Sequence, residues 1–111
     1  ALGAMGREGR GMIVNVVSSV ARHAVPEFGA YTASKCAMEG LSKVMAKEAR
    51  KKGVKVVAVY PGGTDTNIRE ARRPEYMRAE SAAKMIMAAI EAPEDVVCHE
   101  IVFRPMVEEQ F

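Results

Sequence analysis

Two spacings of apolar residues divide the chain. Met12-Ile13-Val14-Asn15-Val16-Val17 and Val54 to Tyr60 are short, nearly continuous apolar runs rich in β-branched residues. Such runs predict strands covered on both faces, as in a parallel sheet, whereas strict alternation would mark a strand with one wet face. Val96 to Phe103 predicts a third. Between the first two runs the period changes: Ala30, Ala33, Ala37, Leu41, Val44, Met45 and Ala49 recur at steps of three and four, the apolar stripe of a helix. Lys43, Lys47, Arg50, Lys51 and Lys52 lie off that stripe and crowd its C-terminal end, where the helix dipole favours cations, and Gly53 predicts the stop. Ala79 to Ala92 returns to helical spacing through Ala82, Met85, Ile86, Ala89 and Ile90, with Glu80 and Ser81 in the first turn and Pro93 closing it.

The remaining segments punctuate these elements. Ala1 to Glu8 reads as the end of a helix, stopped by Gly9-Arg10-Gly11, and Ser18 to Gly29 as a loop. Pro61-Gly62-Gly63 ends the second strand, and the polar stretch from Thr64 to Met77, with Arg69, Arg72, Arg73 and Pro74, reads as a loop with room for a short helix. Strands alternating with long helices predict right-handed βαβ units and an α/β fold with three parallel strands and flanking helices. At 111 residues the chain holds one domain, 1–111, with no internal repeat.

Composition narrows the function classes. The net charge of +2 comes from 16 basic and 14 acidic residues that are interspersed, which gives no footprint for nucleic acid or an anionic membrane. No apolar run approaches the roughly 20 residues of a spanning helix, and no signal-peptide pattern opens the chain. Cys36 and Cys98 have no CxxC spacing, so both are expected to pack as reduced small hydrophobes, and a cytoplasmic location follows. His23 has no partner at metal or triad spacing and is expected on a loop surface; His99 is expected at a strand end. No metal site is predicted.

Three segments carry candidate chemistry, each just past a predicted strand end, where open α/β sheets bind ligands. Ser18-Ser19 follows the first strand; a serine there can donate to a developing oxyanion, or simply open a turn. Tyr31 and Lys35, four apart at the start of the long helix, share a face about one turn apart. A phenol is a poor proton carrier near neutrality, and an adjacent ammonium and the helix N-terminus both favour its phenolate, which suits proton exchange with a carbonyl oxygen. By itself such a pair is equally a structural accident. Pro61-Gly62-Gly63-Thr64-Asp65-Thr66 follows the second strand; its glycines allow close backbone approach to a ligand, and Thr64 and Thr66 offer hydroxyls for a carboxamide or phosphate. A glycine turn with a helix cap is the plain alternative.

Taken jointly, Gly11-Met-Ile-Val-Asn-Val-Val-Ser-Ser19, Tyr31-Thr-Ala-Ser-Lys35 and Pro61-Gly-Gly-Thr-Asp-Thr66, with Gly29-Ala30 and Glu39-Gly40-Leu41, resemble the C-terminal half of a short-chain dehydrogenase/reductase. The resemblance covers essentially the whole chain and implies the C-terminal half of a Rossmann-like doubly wound parallel sheet. It implies an NAD(P)-dependent oxidoreductase interconverting a ketone or aldehyde and an alcohol, with NADP commoner than NAD and 3-oxoacyl ketones a common substrate class. Tyr31 would be the proton donor, Ser19 the group that polarises the carbonyl, and Lys35 the partner of Tyr31 and of the nicotinamide ribose. Pro61, Gly62, Thr64 and Thr66 would line the nicotinamide, and Asp65 to Met77 would form a substrate lid whose arginines either meet an anionic tail or form a solvated face. The Ser19–Tyr31 loop is slightly shorter than is usual in the family.

The family's glycine-rich diphosphate loop does not occur in these 111 residues, which begin with Ala rather than Met. The chain is therefore expected to be a partial domain, its first strand presenting an apolar edge that another strand would normally pair. The resemblance also implies a homodimer or homotetramer for the parent. The alternatives are a non-catalytic chain that retains this oligomerisation surface, and an epimerase or dehydratase sharing the Tyr-Lys pair; the latter usually carry a longer C-terminal substrate domain.

Overall fold

The structure, a computed structural model, describes residues 1–68 and 70–109. Its elements run α1 (Leu2–Glu8), β1 (Gly11–Val16), a 3₁₀ turn (Ser19–Ala21), α2 (Gly29–Arg50), β2 (Val54–Pro61), β3 (Thr64–Asp65), β4 (Met77–Arg78), α3 (Ala79–Ile90) and β5 (Glu100–Phe103). The main sheet has the order β1-β2-β5 with both pairings parallel, in register from Gly11↔Val54 to Val16↔Val59 and from Ala58↔Glu100 to Pro61↔Phe103. The α/β fold with three parallel strands is the expected one. The polar stretch expected as a loop is pinned by a two-residue parallel ladder, β3 with β4.

The continuous apolar run of β2 is explained by burial on both faces. Val54, Val56, Ala58 and Tyr60 pack on one side, against Met38, Met45, Ala46 and Ala49 of α2 and Leu2 and Met5 of α1. Val57 and Val59 pack on the other, with Ile86 and Ala89 of α3 and Cys98. At about 1.5–3 kcal/mol for each fully buried aliphatic side chain, Val57 and Val59 make β2 the anchor of the domain. Both crossovers step the same way across the sheet, yet α2 and α3 lie on opposite faces. The two βαβ units therefore have opposite hands, and one is the uncommon left-handed form, not the right-handed one expected for both.

Other departures have local causes. β1 is only half-buried, and Val16 is 44% exposed, because β1 takes an edge of the sheet while the helices centre on β2. The strand expected from Val96 begins only at Glu100, because the carbonyls of Pro93, Glu94 and Val96 turn inward to accept from Lys55 Nζ (3.4, 2.6 and 2.7 Å). The packed face of α2 is Met38, Ser42, Met45, Ala46 and Ala49, not the wider stripe the spacing suggests: Leu41 and Val44 are 58% and 54% exposed. Ser42 is admitted to that face because it donates to the Met38 carbonyl (2.8 Å) and accepts from Asn15 Nδ2 (2.9 Å). Cys98 is half-buried as expected, but Cys36 is exposed, its thiol donating to the Ala21 carbonyl (3.5 Å). Among the described residues no helix is long and apolar enough to cross a membrane.

Candidate active site

Because the three strands run parallel, the segments that follow them emerge at one end of the sheet. There they line a cleft of about 580 Å³. Ser19, Tyr31, Lys35, Pro61, Gly62, Thr64 and Thr66 all line it, so segments far apart in sequence are brought to one cavity despite the short Ser19–Tyr31 loop.

Ser18 and Ser19 divide the turn chemistry between them. The Ser18 side chain caps the 3₁₀ turn by accepting from the Val20 N–H (3.3 Å), whereas the Ser19 hydroxyl, in the cleft wall, has no hydrogen-bond partner among the described residues. Tyr31 and Lys35 lie on the first two turns of α2. Lys35 Nζ donates to the Val16 carbonyl at the end of β1 (3.2 Å) and stands 5.7 Å from the centroid of the Tyr31 ring. That bond ties the helix to the strand and aims the ammonium along the phenol. Tyr31 is 46% exposed and packs edge-on against Phe28, with ring centroids 6.3 Å apart. A phenol, an ammonium and an unengaged hydroxyl therefore open on one cavity. Thr64 is different: its hydroxyl donates to the Gly62 carbonyl (3.2 Å), so its side chain serves the turn, while Thr66 lines the cleft with no hydrogen-bond partner among the described residues.

Of the arginines in the segment expected as a substrate lid, Arg72 donates to Asp65 Oδ2 through Nε and Nη2 (3.0 and 2.8 Å), and the Arg73 N–H donates to Asp65 Oδ1 (2.9 Å). These bonds, the Arg73 N–H first, hold the Asp65 carboxyl below its ordinary range. The pairing spends Arg72 on the lid's own shape rather than on a ligand. Arg69 lies outside the described residues.

Several cleft residues escaped the sequence reading. His23, expected on a loop surface, is half-buried and lines the cleft, as do Tyr76, Arg104 and Glu108. Arg22 was missed as well. Its guanidinium stacks 4.0 Å from the Tyr60 ring centroid and donates to Glu39 Oε1 (3.3 Å) and Glu100 Oε2 (2.6 Å), so the turn after Ser19 is clamped to α2 and β5. Burial, then the charges of Glu100 and Glu39, push the Tyr60 phenol up to about 12. Burial also pushes the Glu39 carboxyl upward, but Lys43, Arg22 and Tyr60 outweigh it and hold it below its ordinary range. Tyr60 is thus a locked structural phenol, whereas Tyr31 is exposed and stands beside the Lys35 ammonium. Only the Glu39–Lys43 spacing of four was readable beforehand; Arg22 and Glu100 are 78 residues apart, with nothing local to connect them.

Comparison with known proteins accords with this arrangement. The family model for short chain dehydrogenase matches residues 1–77. A short-chain type dehydrogenase/reductase of Picea abies is 38% identical over 69 residues, covering 62% of this chain and 26% of that protein. An uncharacterized oxidoreductase of Staphylococcus aureus is 29% identical over 109 residues, 96% of this chain and 47% of that protein. Among solved structures, a short chain dehydrogenase from Burkholderia cenocepacia in complex with NADP superposes with a TM-score of 0.79 at 29% identity, over 91% of this chain and 40% of that one. The chain thus spans about half, or less, of the length of these relatives.

Proposed function

The chain belongs to the short chain dehydrogenase family, and from that premise we propose that its cleft is the carbonyl end of an NAD(P)-dependent oxidoreductase site. The observation that carries this is the convergence of the unengaged Ser19 hydroxyl with Tyr31 and the strand-anchored Lys35 on one cavity at the C-terminal end of a parallel sheet. The residues present suit a nicotinamide: the Pro61-Gly62 turn offers close backbone approach, Thr66 a free hydroxyl, Thr64 its backbone, and Lys35 and Tyr31 donors for a ribose. When bound, that cofactor supplies or accepts the hydride.

In the reducing direction, the Tyr31 hydroxyl gives its proton to the carbonyl oxygen while Ser19 donates a hydrogen bond to the same oxygen, so the developing alkoxide is neutralised as it forms. The Lys35 ammonium beside the ring balances the phenolate that remains. In the oxidising direction the phenolate removes the alcohol proton. Carbonyl reduction with NADPH on a 3-oxoacyl type ketone is the finer form of this reading, favoured by family resemblance. In a full-length enzyme bearing these residues, Tyr31→Phe should lower kcat by about 10²–10⁴-fold with little change in cofactor affinity. Near-normal turnover in that variant would sink the mechanism.

A second reading rests on a specific surface. Ala33, Ala37, Leu41 and Val44 form an exposed apolar stripe on α2, suited to packing against a second copy as an oligomerisation surface. Titrating the 111-residue chain with NADPH separates the two readings. Micromolar binding supports the cofactor site. No binding, together with a dimer that Leu41→Glu dissociates, supports an association module.

A further inference from the structure

Arg104 leaves the end of β5 and turns back into the cleft, where its side chain is only 11% exposed. Its Nε donates to Glu108 Oε2 at 2.9 Å, and the other oxygen of that carboxylate accepts from the Gly63 backbone N–H at 2.7 Å. One carboxylate therefore bridges the turn after β2 and the segment after β5. Room for it exists because positions 62 and 63 carry no side chain. A Cβ on Gly62 would lie 2.6 Å from Glu108 Oε2, and one on Gly63 would lie 2.7 Å from Oε1. Arg104 Nη1 is buried and has no hydrogen-bond partner among the described residues, so a donor remains unspent.

An Arg–Glu pair four residues apart on an open surface contributes little. This one is mostly enclosed, draws on donors from two elements and fills a cradle that two glycines leave open. A guanidinium this buried needs an anion, because an unpaired buried charge is costly. The segment supplying that anion is weakly held. The Glu108 N–H donates to the carbonyl of buried Pro105 (3.1 Å) in a short turn whose middle residues, Met106 and Val107, are 98% and 51% exposed. Such a segment can give way where another anion takes over the bonds of Glu108 to Arg104 and Gly63, which keeps the guanidinium paired.

We propose that Gly62, Gly63 and Arg104 form a carboxylate-binding subsite in the cleft, filled in this structure by the chain's own Glu108, and that a small carboxylic acid takes the subsite by displacing that side chain. As a statement about substrate it rests on the dehydrogenase reading and narrows the carbonyl compound to one bearing a carboxylate. As a binding site it stands apart from hydride transfer, and its test uses no turnover.

The test follows the Gly63 amide and Arg104 Nε–H signals of the ¹⁵N-labelled 111-residue chain during titration with succinate. Replacing Glu108 by Gln removes the internal competitor, and saturable shifts of both signals should appear with a midpoint about tenfold below that of the wild type. Glu108→Ala, which leaves no side chain to refill the cradle, should behave alike, and neutral succinamide should shift neither signal. Adding Arg104→Met to Glu108→Gln should abolish the response. The proposal is overturned if Glu108→Gln binds succinate no more tightly than the wild type, or if Glu109→Gln tightens it equally, which would make the effect one of general charge.

Discussion

Replacing Gly53 by alanine should destabilise the domain, whereas the same replacement at Gly40 should stabilise it. Gly53 closes the turn between α2 and β2 at φ +72°, donating its N–H to the Arg50 carbonyl, and a Cβ there would run into the backbone carbonyl of Gly9. Alanine in the left-handed region costs about 1–2 kcal/mol. Forcing a methyl against a backbone carbonyl, which cannot swing aside as a side chain can, adds about 1–3 kcal/mol. The stiffer unfolded chain returns about 0.4–1 kcal/mol. The net loss is about 1–5 kcal/mol, centred near 3 kcal/mol. At Gly40, in the exposed interior of α2, an added Cβ meets nothing within 4 Å, and helix propensity alone predicts a gain of about 1 kcal/mol. Urea unfolding followed by circular dichroism should place the two midpoints about 2 M apart, on either side of the wild type, for a slope of about 1.5 kcal/mol/M. Midpoints moving in the same direction, or both staying within about 0.5 kcal/mol of the wild type, would refute the close approach of the Gly9 and Gly53 turns.

Two further predictions concern pH. Glu39 and Asp65 are held below the ordinary carboxylate range, so the stability they contribute is present above that range and is lost as pH falls through their folded values. Glu39→Gln should therefore be less stable than the wild type at pH 7, with the gap closing below about pH 4; a gap independent of pH would contradict the Arg22–Lys43 environment described for Glu39. Tyr60 is pushed up to about 12, so stability associated with its protonated form is intact below about pH 10 and is lost as pH rises toward 12. In a spectrophotometric titration, Tyr60 should contribute a late ionisation step near pH 12, and Tyr60→Phe should remove that step. An unchanged late step would mean that another phenol is the locked one.

The legibility of this chain divides along physical lines. The run at Val54 to Tyr60 announced a doubly covered parallel strand because burial on both faces removes any need for alternation, and β2 is that strand. The run beginning at Val96 does not start a strand there because Lys55 captures the Val96 carbonyl together with those of Pro93 and Glu94 just before it; that capture spans about 40 residues and leaves no local trace. The stripe on α2 was read too broadly, since apolar spacing shows where a face could pack and not which part another element reaches. Ser42, a polar residue on the packed face, is satisfied by the Met38 carbonyl one turn back and by Asn15 of β1, and only the first of these is local in sequence.

The site shows the same division. Ser19, Tyr31, Lys35 and the Pro61–Thr66 segment were recognisable by residue type, order and position after strands, because parallel strands deliver their C-terminal ends to one side whatever the remaining details. Sequence alone thus determined the fold class, the family and those seven of the groups facing the cleft: Ser19, Tyr31, Lys35, Pro61, Gly62, Thr64 and Thr66. Only the tertiary structure decided which serine is engaged in capping, that Thr64 serves its own turn, that Arg22 clamps the wall behind Ser19, and that Glu108 occupies the cradle of Gly62, Gly63 and Arg104. Periodicity and motif report what a residue meets within a turn or a strand. Hydrogen-bond partners and buried charges are set by segments that meet only when the chain closes on itself, and those pairings fix which groups remain free for chemistry.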